Sequence, residues 1–63
     1  MTDIELRTKL IAHGQELREM VDFTIESEDY TKARRYSNKL YEFYKVMEII
    51  GATDVLEYFQ QTE

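Results

Sequence analysis

In the stretch Asp29 to Ile50, apolar side chains recur at a spacing that only one regular structure can use: Ala33, Tyr36, Leu40, Phe43, Tyr44, Met47 and Ile50. At about 100° per residue these fall on one face of a helix. A strand would need alternation at every second residue, and strands seldom exceed ~10 residues. Little else interrupts the chain, because proline is absent and glycine occurs only at positions 14 and 51. The expected fold is all-α, with a second helix over 29–50. Asp29 or Ser27 is suited to cap its start by accepting from an early amide. Gly51 is suited to end it through the left-handed conformation.

A first helix is expected over 3–26. Thr2 and Glu5 stand in capping-box spacing, and Asp3 and Glu5 favour the positive end of the helix dipole. Its apolar stripe reads Leu6, Leu10, Leu17, Val21 and Thr24 or Ile25, with Met20 at one edge. Gly14 lies inside that stripe, where glycine costs about 1 kcal/mol against alanine. The apolar period stays in phase across it and no capping residue follows, so the helix should continue. A bulky neighbour pressing on the backbone then explains the glycine. Ser27-Glu28-Asp29 is the turn, and so short a connection makes antiparallel neighbours. Reversal near residue 28 sets residues level with each other when their numbers total about 57. Gly14 then faces Phe43 and Tyr44, and Leu17 faces Leu40. The same register brings Glu19 toward Lys39, Asp22 toward Arg35 and Glu26 toward Lys32.

After Gly51-Ala52 a short third helix is expected over 54–60, with Asp54 and Glu57 in capping-box spacing. Val55, Leu56, Tyr58 and Phe59 offer it an apolar face. It should fold over apolar side chains near the open end of the hairpin: Ile4, Val46, Ile49 and Ile50. The whole chain, 1–63, reads as one domain.

A chain of 63 residues buries only about 60% of the surface its unfolded form exposes. Small domains compensate with disulfides, a metal or oligomerisation. There is no cysteine and only one histidine, so disulfides and zinc cages drop out. Phe23, Tyr41, Val46 and Ile49 fall outside the hairpin seam, and a single copy with a short third helix cannot cover all of them. A homodimer, two hairpins paired into a helical bundle, is therefore expected. No apolar run approaches the ~20 residues that span a bilayer, and no signal segment opens the chain. It reads as soluble and cytoplasmic, with no membrane partner.

Candidate chemistry is sparse. His13 and Glu16 share a helix side but lack the further ligands that a metal site needs. The serines Ser27 and Ser37 have no histidine within reach in this register, and no glycine-rich loop could cradle a phosphate. No catalytic residue, metal or cofactor is expected, and the chain does not read as an enzyme. Charge is uneven: Thr31 to Lys45 carries five basic residues against Glu42, while the chain as a whole is −5. Lys32, Arg34, Arg35, Lys39 and Lys45, interleaved with aromatics, are candidate nucleic-acid contacts. Helix periodicity spreads them over both flanks, and the acidic remainder opposes phosphate binding.

The leading expectation is a non-enzymatic protein–protein interaction module, a small regulator or inhibitor that docks on another protein. Its candidate interface residues are Phe23, Tyr41, Val46, Ile49, Tyr58 and Phe59, since large exposed apolar side chains anchor interfaces. The alternative is a nucleic-acid-binding regulator working through the second helix.

Overall fold

A computed structural model describes residues 3–61. It contains three helices, α1 (Asp3–Glu26), α2 (Tyr30–Ile49) and α3 (Thr53–Gln61), with no strand among the described residues. The all-α hairpin expected from periodicity is the observed architecture, and α1 runs unbroken through Gly14. Thr2, the expected cap of α1, lies outside the described residues.

Both connections are closed by the same device. At the end of α1, Glu28 N–H donates to Ile25 O at 3.0 Å and Asp29 N–H to Thr24 O at 2.9 Å. At the end of α2, Gly51 N–H donates to Glu48 O at 3.2 Å and Ala52 N–H to Met47 O at 2.8 Å. This is the paired Schellman closure, which turns on one residue with positive φ. Gly51 supplies it at 77°, and Glu28, which carries a side chain, supplies it at 59°. Asp29 caps α2, its side chain accepting from Lys32 N–H at 3.2 Å.

The antiparallel register places Phe43 against His13 and Gly14, as the turn position dictates. The His13 and Phe43 rings meet edge-on at 5.6 Å. A Cβ on Gly14 would stand 2.8 Å from Phe43 Cε1 and closer still to the Phe59 ring. The bulky neighbour is therefore double, one ring from α2 and one from α3.

α3 departs from expectation. It does not cover Ile4, Val46, Ile49 or Ile50, all of which remain exposed. Instead it folds back beside α1 and runs parallel to it, as three successive contacts show. Arg7 Nε pairs with Asp54 Oδ2, Gln15 Nε2 donates to Tyr58 Oη at 2.6 Å, and Arg18 Nη1 donates to Phe59 O at 3.5 Å. The turn at Gly51 aims α3 into the seam, so Val55 and Phe59 join Leu17, Phe43, Met47 and Ala52 in the core. The Phe59 ring meets Phe43, Tyr44 and Tyr58 at 5.9, 5.7 and 5.3 Å between centroids, within the range of favourable ring pairs. The Ala52 carbonyl already accepts from Val55 and Leu56, so α3 starts at Thr53, two residues earlier than a capping box with Asp54 as the cap implies. Asp54 sits in its first turn and reaches across to α1.

Toward the hairpin turn the seam is lined by small residues. Thr24 and Ala33, level in the register, are both buried. The Thr24 hydroxyl lies 2.7 and 2.9 Å from Met20 O and Val21 O and donates to them, so its burial is satisfied.

Candidate functional site

Because α3 lies on one side of the hairpin, the other side is open. Between α1 and α2 runs a groove of about 760 Å³ lined by Leu10, Leu17, Phe43 and Met47, with Val46 half in view. His13 stands on its α1 wall; Arg35, Asn38, Lys39 and Glu42 stand on its α2 wall. Leu6 and Met20, both exposed, extend the apolar strip of α1 beyond it on the helical wheel. A smaller notch of about 330 Å³ lies between α2 and α3, lined by Tyr41, Tyr44, Lys45, Glu48, Leu56 and Phe59 among others.

The interface candidates divide between these features. Val46 borders the large groove, and Ile49 follows it on the same flank of α2. Phe23 is exposed on the flank of α1 that carries Met20. Tyr41, 63% exposed, borders the notch. Tyr58 is half-buried and holds Gln15. Phe59 differs from expectation: it is 3% exposed and belongs to the core, because Gly14 leaves the recess that its ring fills. Of the groove residues that the interface candidates leave out, Leu10, Leu17 and Met47 are legible in the sequence as seam positions. Nothing in the periodicity marks which side of a seam a third helix will leave open.

The basic residues of α2 do not form one patch. Arg35 and Lys39 line the groove, while Lys45 lines the notch. Three of the cations are engaged locally. Lys32 pairs with Asp29 at 3.8 Å, Lys39 lies over the Tyr36 ring at 5.4 Å, and Lys45 lies over the Tyr41 ring at 5.5 Å. Arg34 is exposed. Among the described residues the pairs Glu19–Lys39, Asp22–Arg35 and Glu26–Lys32 do not close to ion-pair distance. Such exposed pairs gain at most ~1 kcal/mol, which seldom repays fixing two long side chains.

An ion pair does join α1 to α3, between Arg7 and Asp54. The Arg7 hydrogen bond holds the Asp54 carboxyl below the usual carboxylate range, partly offset by desolvation. Among the described residues no three His, Asp or Glu side chains converge as metal ligands would, and no helix is long and apolar enough to cross a membrane. No protein-family model, curated protein or solved structure matches the chain.

Proposed function

We propose that the chain is a non-enzymatic interaction module that docks on another protein as a small regulator or inhibitor. One observation carries this reading: Tyr41 is largely exposed at the mouth of the α2–α3 notch, beside Tyr44 and Leu56. A tyrosine brings a large apolar ring, few rotatable bonds and a hydroxyl, the combination that anchors interfaces. Lys45 and Glu48 at the rim would add orientation rather than affinity.

The test is capture from lysate of the source cell by the immobilised chain, comparing wild type with Tyr41→Ala. Proteins retained by wild type and lost from Tyr41→Ala, with the far-ultraviolet circular dichroism unchanged, support the reading. Retention of nothing beyond what an unrelated acidic helical domain retains would overturn it.

A second reading, nucleic-acid binding through α2, has the stacked Lys45–Tyr41 pair behind it, since single strands are held by aromatic faces beside cations. Titration with mixed RNA and DNA at two salt concentrations separates the two. Affinity that collapses with salt and disappears in an Arg34→Ala/Arg35→Ala variant favours the second reading. No binding at low salt eliminates it.

A further inference from the structure

The α1–α2 groove is a different surface from the Tyr41 notch, and the charges around it discriminate between occupants. We infer that the groove takes a second copy of this chain. The two hairpins pack face to face about a two-fold axis parallel to their helices, so that α1 of each copy lies antiparallel over α2 of the other.

Three observations support this. The first is surface. The chain exposes 4971 Å², whereas a compact 7.6 kDa monomer exposes about 4,300 Å². Its radius of gyration is 12.5 Å, against about 10.6 Å for a compact domain of this length. The chain is thus more open than a compact domain of its size, and the uncovered α1–α2 face contributes to that excess. The second is shape. The open face is an apolar trough flanked by two helices of similar length, so a two-fold partner laid helix over helix would enclose both troughs as the interior of a four-helix bundle.

The third is charge. Rotation about an axis parallel to the helices keeps every residue at its own height. Residues of α1 are therefore level with the same α2 positions in the partner as in their own chain. His13 and Glu16, on the groove side of α1, come level with Glu42 and Lys39 of the second copy. Each pairing sets a donor or cation against a carboxylate. Within one chain Glu16, Lys39 and Glu42 make no ion pair among the described residues. A two-fold axis across the helices would instead set α2 on α2 and α1 on α1 with heights reversed, taking His13 and Glu16 away from Glu42 and Lys39, so a charge swap between Glu16 and Lys39 tells the two arrangements apart.

The experiment is sedimentation equilibrium across the micromolar range, read with circular dichroism. Wild type should sediment at twice 7.6 kDa. Val46→Asp places a carboxylate in the apolar contact and should weaken the dimer about a hundredfold. Its helicity should hold, since Val46 is already 47% exposed in the single chain. Lys39→Glu should weaken the dimer about fivefold, and adding Glu16→Lys should restore it. A 7.6 kDa species alone at about 100 micromolar, roughly the limit for a weak interface, would overturn the inference. So would a dimer indifferent to Val46→Asp, or a charge swap that fails to restore. Tyr41→Ala should leave the dimer unchanged, so failure here and failure of the docking reading are read from different variants.

Discussion

The ring of Phe59 occupies the space that a side chain on Gly14 would need. That relationship ties the shortest helix to the middle of the longest and sets what each substitution there should do.

Gly14→Ala has two opposed effects. Alanine favours the helix by about 1 kcal/mol. Its methyl group would press on both the Phe43 and Phe59 rings, and overpacking a filled core costs about 1–3 kcal/mol. Both rings are buried, so the steric effect should win by about 1 kcal/mol. Urea unfolding measures the sum, and amide exchange should show α3 losing protection before α1 does.

Phe59→Ala removes a buried ring and should destabilise the fold by about 3–5 kcal/mol, a large share of what a domain this small possesses. Tyr41→Ala, at an exposed site, should stay within about 0.5 kcal/mol. Thermal melts of the two variants side by side decide between core and surface for each residue.

The two turns make a matched pair of tests. Glu28 adopts positive φ with a Cβ in place, a conformation costing about 1–2 kcal/mol for an L-residue. Glu28→Gly should therefore stabilise the hairpin, by about 1 kcal/mol at most after glycine's greater loss of chain entropy. Gly51→Ala meets no steric obstacle beyond its own backbone, and should destabilise by about 1 kcal/mol through that conformation alone. Paired urea titrations of the two variants read both signs.

Asp54 supplies a pH dependence with a definite sign. Its carboxyl is held below its ordinary value by Arg7. The pairing therefore stabilises the folded state above about pH 4 and is lost as pH falls through the lowered value. The stability difference between wild type and Asp54→Asn should shrink below about pH 4. A carboxyl titration followed by NMR should find Asp54 low in wild type and back in the ordinary range in Arg7→Ala.

The hairpin is legible in the sequence because two independent signals agree, the apolar period of each helix and the position of Gly14 opposite Phe43. The Gly51 turn is legible from glycine's freedom, whereas the equivalent geometry at Glu28 carries no residue signature. α3 is harder. Val55, Leu56, Tyr58 and Phe59 give a nine-residue helix apolar residues on several sides, so periodicity cannot say which face turns inward. The backbone at Gly51 settles that, and it places Phe59 inside while Ile49 and Ile50 stay out. The large groove follows from the same turn, since α3 could have covered either side of the seam. Opposite charges in register suggest ion pairs along the hairpin. Register sets only the height of a side chain, and exposed pairs gain too little to close.

The hinge before α3 has a kinetic consequence. The contacts of α3 with α1 join residues far apart in the chain, while those of the hairpin turn are local. Contacts of such high sequence separation cost more chain entropy to close, and a nine-residue helix offers few to offset it. Local opening of α3 would bare Phe43 and Met47, which share its core cluster. Self-association of concentrated samples should therefore follow the opening of this short segment rather than complete unfolding, and should slow in any variant that holds α3 down more firmly.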